Sequence, residues 1–203
     1  MYEVETRGPL SDFNKTIDFF KENGKFIQEK DRFSLIYFPM DTLDLKEMQN
    51  DPRDLRLRVT NKKAEIVMKY GNWGTKDARR EISIPIATEK FDEMAELLHY
   101  LGWSFGSLFA TKTFVFEYKE IEFALVQNKY ASYFEAERVI DSKDKSDETM
   151  KEIESICREI GLSFFSEEEY FGLMDSINRA PGSLFDFRKQ KFADIKKDYL
   201  EFF

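Results

Sequence analysis

Apolar and polar residues alternate along the opening of the chain, Tyr2-Glu3-Val4-Glu5-Thr6-Arg7, as in a strand with one face turned to a core. Gly8-Pro9 ends that run. Phe13, Ile17 and Phe20 then follow at helical spacing, between an N-cap expected at Ser11 and a stop at Gly24. An extended run covers residues 25–38, and a polar loop holds Pro39 and Pro52. Strict alternation returns over residues 55–59 and 65–70, joined by a tight hairpin at Asn61-Lys62-Lys63 and followed by a loop over 71–77. A strand over 79–86 leads into a helix over 88–101 that presents Phe91, Met94, Ala95 and Leu98 and closes at Gly102. Residues 108–118, 121–127 and 133–140 read as three further strands.

Beyond Asp141 the period changes to helical. Ser146 opens a helix whose Ile153, Ile156, Cys157 and Ile160 form one stripe, closed by Gly161. Ser166 with Glu169 three residues on has the form of a capping box, ahead of Tyr170, Leu173, Met174 and Ile177. Ala180-Pro181-Gly182 breaks that helix, and a last one presents Phe192, Ile195, Tyr199 and Phe202. A shift of 78 residues superposes Glu3 on Glu81, Val4 on Ile82, Phe13 on Phe91, Phe20 on Leu98 and Gly24 on Gly102. Each half thus reads strand, helix, glycine stop, then several strands, which predicts two related α+β halves packed together.

Composition narrows the chemistry. The 203 residues are enough to bury a core, and no run approaches the roughly 18 apolar residues of a membrane span. No signal peptide is evident, so a cytoplasmic protein is expected. A net charge of −8 argues against a nucleic-acid partner. Cys157 is the only cysteine and His99 the only histidine, which leaves carboxylates, Lys, Arg or a metal ion to carry any reaction.

Charge alters the picture most when it is read strand by strand. Glu3, Glu5 and Arg7 share one face of the first strand. Arg56 and Arg58 share a face opposite Leu55, Leu57 and Val59, and Glu65 with Lys69 one opposite Ile66 and Met68. Arg79 with Glu81 lies opposite Ile82 and Ile84, and Glu135 with Glu137 opposite Phe134 and Ala136. Paired carboxylates stand at both ends of the strand order and arginines between. An antiparallel barrel resolves this pattern: helices cover an apolar outside, while the charged faces line a lumen. Inward charges need compensation from one another, from water, or from a polyanion with its metal ions.

These residues resemble the CYTH family, the triphosphate tunnel metalloenzymes, which groups class IV adenylyl cyclases, thiamine triphosphatases and inorganic triphosphatases. The family's E-x-E-x-K is similar to Glu3-Val4-Glu5-Thr6-Arg7, with Arg7 in place of the lysine. Its R-x-R strand resembles Arg56-Leu57-Arg58, and the lysine of the next strand resembles Lys69. Its R-x-E resembles Arg79-Arg80-Glu81, and its late E-x-E resembles Glu135-Ala136-Glu137. Gln28 to Phe33 is similar to a Q-x-D-x-Y stretch, and Glu168 to Leu173 to the C-terminal S-Y-x-x-L helix. The likeness covers residues 1–178; residues 179–203 form a C-terminal helical extension, packed on that domain or on a partner. Lys112 remains from a K-x-R strand that lacks its arginine here, and the strand that carries L-D-x-V in the family reads Ala124-Leu125-Val126-Gln127-Asn128, without the acid.

The resemblance implies an α+β fold: an eight-stranded antiparallel tunnel with helices outside. Arg7, Arg56, Arg58, Lys69, Arg79 and Lys112 would grip a triphosphate-containing small molecule. Glu3, Glu5, Glu81, Glu135 and Glu137 would form the metal site for Mg2+ or Mn2+, with Glu3, Glu5 and Arg7 as the catalytic set. A triphosphate hydrolase is the leading expectation. A weakly active or non-catalytic polyphosphate-binding module and a cyclase are the alternatives, and a homodimer is compatible with the apolar last helix.

Overall fold

The computed structural model describes residues 2–48, 50–71 and 76–203. The expected loop over 71–77 falls largely outside them, and from Lys76 the chain is already strand. In order, the elements are β1 (Tyr2–Pro9), α1 (Phe13–Asn23), β2 (Lys25–Tyr37), α2 (Leu45–Met48), β3 (Arg53–Thr60), β4 (Lys63–Tyr70) and β5 (Lys76–Ile86). There follow α3 (Phe91–Tyr100), β6 (Phe105–Tyr118), β7 (Ile121–Gln127), β8 (Ser132–Ile140), α4 (Ser146–Glu159), α5 (Glu167–Asn178), β9 (Leu184–Asp186) and α6 (Phe192–Lys196). The hydrogen-bonded strand order is β2-β3-β4-β5-β1-β8-β7-β6-β9, and β2 also pairs with β6. Strands β1 to β8 therefore close into an eight-stranded antiparallel barrel, with helices and a helical C-terminal region, in the α+β class.

The chain divides into two compact units, each drawn from three stretches of sequence. The first comprises Met1–Lys30, Gly71–Glu81 and Thr111–Phe171. Its core gathers Val4 from β1, Ile17 and Phe20 from α1, Phe116 from β6, Phe123 and Leu125 from β7, Phe134 and Ala136 from β8, and Ile153 and Cys157 from α4. Phe20 is the centre: its ring lies 4.8 Å from that of Phe123 and 5.6 Å from that of Phe116. Helix α1 begins one residue later than its sequence suggests. The Asp12 carboxylate, rather than Ser11, accepts the Lys15 N–H at 3.0 Å, because a cap must stand three residues before the amide it satisfies. The capping box before α5 is present, with Ser166 Oγ accepting from the Glu169 N–H at 3.2 Å and Glu169 accepting from the Ser166 N–H at 2.8 Å.

The turn between β6 and β7 places two non-glycine residues in the left-handed region, Lys119 (φ 50) and Glu120 (φ 60). The Arg138 side chain braces it by donating to the Glu120 carbonyl at 3.1 Å and to Glu152 at 2.5 Å. Left-handed backbone costs a side-chain-bearing residue about 1–2 kcal/mol, while glycine adds about 0.5–1 kcal/mol of unfolded-state entropy. Glu120→Gly is therefore expected to stabilise the protein by roughly 0.5–1 kcal/mol, since it keeps the carbonyl that Arg138 uses. Chemical denaturation of the two proteins checks this, and a lower midpoint for the variant refutes it.

The second unit comprises Asp31–Tyr70, Ile82–Ala110 and Gly172–Phe203. Leu55, Leu57 and Val59 of β3 point into its core beside Phe33 and Leu35 of β2 and Phe91, Ala95 and Leu98 of α3. The C-terminal region seals that core with aromatic rings: Tyr199 lies 4.4 Å from Phe33, Phe192 5.1 Å from Phe91 and Phe203 4.9 Å from Phe91. Lys196 donates to Asp92 of α3 at 2.7 Å, so charge as well as ring packing fixes the tail. One expectation fails in this unit. Ile82 and Ile84 are exposed, not cored, because α3 lies against β3 and α6. Gly106 allows backbone to pass over backbone, since a Cβ there would stand 2.0 Å from the Ile36 carbonyl oxygen.

Candidate functional site

Within the first unit, β1 lies between β5 and β8, and register decides which charges meet. Glu3 faces Arg79 across β1–β5, while Glu5 faces Glu137 and Arg7 faces Glu135 across β1–β8. One strand further on, Glu122 of β7 faces Glu137. Glu5, Glu137 and Glu122 thus form a row of carboxylates on three neighbouring strands. Like charges directly opposite each other destabilise a ladder, so the row requires a bound proton or compensating cations. Lys30 offsets Glu122 at 3.5 Å, and Arg7 forms an ion pair with Glu5.

Glu3, Glu5 and Glu137 each offer a carboxylate oxygen within 4.8 Å of the other two. Glu135 and Glu81, assigned to the metal set by motif, stand outside this trio among the described residues. Burial pushes the Glu137 carboxyl up to about 9, aided by the charge and hydrogen bond of Glu3 and by the charges of Glu135 and Glu122. A close group of hard oxygen donors that retains a proton suits a small divalent cation, which replaces the proton and removes the repulsion. The donor set fits Mg2+ or Mn2+, and its Glu3, Glu5 and Glu137 are the residues that would hold the ion.

The sign of the Glu137 shift gives an expected outcome. Its folded-state value of about 9 lies above the ordinary 4.5, so the folded protein keeps a proton that the unfolded chain gives up. Metal-free stability then falls as pH rises from about 4.5 towards about 9. Glu137→Gln keeps the shape and a donor towards Glu3. It is expected to remove this slope and raise the Tm near pH 8 by roughly 5 °C or more. Thermal melts in a chelator across the range check it, and an unchanged slope refutes the assignment.

Arg7 is buried with Glu5 on one side and Tyr170 on the other. Its Nη1 donates to the Tyr170 hydroxyl at 2.6 Å, and its guanidinium carbon lies 4.9 Å from that ring's centroid. Arg79 is equally buried. Lys112, half exposed, pairs with Glu29 at 2.6 Å. In the second unit Arg56 forms a two-bond fork with Asp54 at 2.8 and 2.6 Å, and Arg58 donates to Glu65 at 2.7 Å. Burial pushes the Glu65 carboxyl up, but hydrogen bonds from Ser83 and Arg58 outweigh it and hold the group below its ordinary value. Lys69 is buried and in register with Asp54.

Sequence reading missed Asp54, Ser83 and Glu122 as partners of these cations and acids. The signal for Glu122 was available: it is the one charge inside the run Ile121 to Val126, two positions before Ala124, which faces Glu135. Tyr170 was legible as part of an apolar stripe, but periodicity says nothing of where a phenol oxygen points.

No protein-family model and no curated protein sequence matches the chain. Solved structures do. PH1819 from Pyrococcus horikoshii aligns at 22% identity with a TM-score of 0.65, over 85% of this chain and 98% of that one. A proposed adenylate cyclase from Vibrio parahaemolyticus aligns at 16% identity and TM-score 0.64, over 85% and 98%. HpAC1 from Hippeastrum, a proposed adenylyl cyclase described as having a dominant triphosphatase activity, aligns at 16% and 0.58, over 89% and 98%. At these identities the likeness establishes a shared fold, the closed antiparallel barrel to which the CYTH-like motifs of the sequence also point.

Proposed function

We propose that this protein is a metal-dependent triphosphatase that cleaves the terminal phosphoryl group of an inorganic or organic triphosphate. The observation that carries the reading is the carboxylate trio Glu3, Glu5 and Glu137 on β1 and β8, with buried Arg7 on β1 and buried Arg79 opposite Glu3 on β5. Phosphoryl transfer asks little covalent chemistry of a protein; position and charge do most of the work. Arg7 and Arg79 supply planar forks that match non-bridging phosphate oxygens, and Lys112 a point charge at a more exposed place. Arg56, Arg58 and Lys69 belong to the second unit, where Arg56 pairs with Asp54 and Arg58 with Glu65. Glu3, Glu5 and Glu137 would hold a divalent cation, which would supply charge neutralisation on the phosphate and on the attacking water.

Arg7 stays protonated at every working pH, so it cannot act as a base. The proton of the attacking water goes instead to a carboxylate. Glu135 is the one placed opposite Arg7 in the ladder and outside the trio. A second reading, a polyphosphate-binding module without turnover, is favoured by one observation: Arg7 is already committed to Glu5 and Tyr170. The test is incubation with tripolyphosphate, thiamine triphosphate and ATP, each with Mg2+ or Mn2+. Metal-dependent phosphate release supports the hydrolase. Binding and thermal stabilisation without release supports the second reading, cyclic AMP from ATP would point to a cyclase, and no binding at all rejects all three.

A further inference from the structure

We infer that Tyr170 is the positioning residue of Arg7, and that residues 162–170 form a fixed arm that delivers its phenol there. This rests on the triphosphatase reading and deepens it, by naming what orients the guanidinium that would grip phosphate. The arm is tied at three points, once to α4 and twice to β1. The Leu162 N–H donates to the Cys157 carbonyl at 2.9 Å, closing α4 and starting the arm at a set place. The Phe165 N–H donates to the carbonyl of Arg7 itself at 3.1 Å. Between them the arm presses on β1 at Gly8, where a Cβ would stand 1.9 Å from the Ser163 carbonyl oxygen and 2.7 Å from the Phe134 ring. Only a glycine at position 8 admits that approach.

Within the arm, the capping box of Ser166 and Glu169 fixes the first turn of α5, and the Tyr170 N–H donates to the Ser166 carbonyl at 3.0 Å. Phe165 packs against Ala124, Val126 and Tyr133 and lies 6.1 Å, ring to ring, from Tyr170. Tyr170 is itself buried. Its ring faces the guanidinium while its oxygen accepts from Nη1, so the two contacts together restrict both the tilt and the rotation of the plane. Glu5 takes the charge at Nη2.

Packing alone does not require the hydroxyl. The chain uses phenylalanine freely, 21 times, including at 165 and 171 on either side, and a phenyl ring would fill the same space. A phenol oxygen on a buried cation has a different use. It holds a long side chain, with several rotatable bonds, in one orientation before a ligand arrives. For a guanidinium that must present two parallel N–H bonds to a phosphate, that orientation sets the rate more than the affinity.

The experiment is a kinetic cycle on the full chain with Mg2+ and tripolyphosphate: wild type, Tyr170→Phe, Arg7→Lys and the double variant. Tyr170→Phe is expected to lower kcat about tenfold or more, with KM changed by less than about threefold and an unaltered circular dichroism spectrum. In the Arg7→Lys background the same substitution is expected to change kcat by less than about twofold, because the group it orients is gone. Where the wild type binds without turnover, the same cycle is read in Kd. Equal losses in both backgrounds would mean that Tyr170 serves the fold alone, and would overturn the inference. So would a Tyr170→Phe protein with wild-type constants beside an active wild type, which leaves the triphosphatase reading standing. A wild type that neither hydrolyses nor binds tripolyphosphate overturns that reading and this inference with it.

Discussion

A Glu3→Gln/Glu5→Gln variant is expected to release phosphate from tripolyphosphate at least about 10³-fold more slowly than the wild type, and to lose stabilisation by Mg2+ or Mn2+. The two carboxylates stand with Glu137 inside a 4.8 Å group. Gln keeps the volume of each and removes the charge a divalent ion needs. The double change also strips Arg7 of the charge of Glu5, and leaving a buried cation without its partner costs about 3–5 kcal/mol. Part of that is returned, because neutral side chains relieve the repulsion that pushes Glu137 up. Glu3→Gln alone separates the effects, since it keeps the Arg7–Glu5 pair. If Glu3→Gln retains both turnover and metal-induced stabilisation, the trio is not the metal site.

A large effect on stability is expected at Gly106. A Cβ there meets the Ile36 carbonyl oxygen at 2.0 Å, the Ile36 carbonyl carbon at 2.9 Å and the Phe185 ring at 2.9 Å. Two of these atoms belong to backbone, so no side-chain rotation can relieve the clash. Gly106 also pairs with Phe185 across β6–β9, and Phe38 bonds to Phe105 next door, so a shift there disturbs the seam that anchors the tail. Gly106→Ala is expected to cost about 3 kcal/mol or more, lowering Tm by roughly 10 °C. A melting temperature within about 2 °C of the wild type would show that β2 and β6 do not approach this closely.

Some of this was legible in the sequence and some could not be. The alternation over residues 2–7 and 55–59 was reliable because a strand with one apolar face admits a single phase; a slip of one residue would turn Val4 or Leu57 to the charged side. The order strand, helix, three strands occurs twice, as β1-α1-β2-β3-β4, with the short α2 between β2 and β3, and as β5-α3-β6-β7-β8, in keeping with the 78-residue echo. Alternation misled at Ile82 and Ile84, which stay exposed while Ile86 on the same side of β5 packs against the core. Pattern reports the faces of a strand but not what lies over them. Similarly, the trio Glu3, Glu5 and Glu137 needed the β1–β8 register, which local sequence does not encode. The fork from Arg56 to Asp54 joins positions two apart on one strand, a distance any extended segment allows but does not compel.

The way the two compact units share the chain has a practical corollary. Each takes residues from both of the sequence repeats, and β2, β5, β6 and α5 each begin in one unit and end in the other. A deletion that removes one repeat therefore removes strands from both units at once. No single cut yields a fragment carrying a complete core, so neither repeat is a candidate for expression alone. Two fragments divided near residue 42 or just before Lys76 would have to meet to fold, which makes the chain a natural scaffold for split-protein complementation.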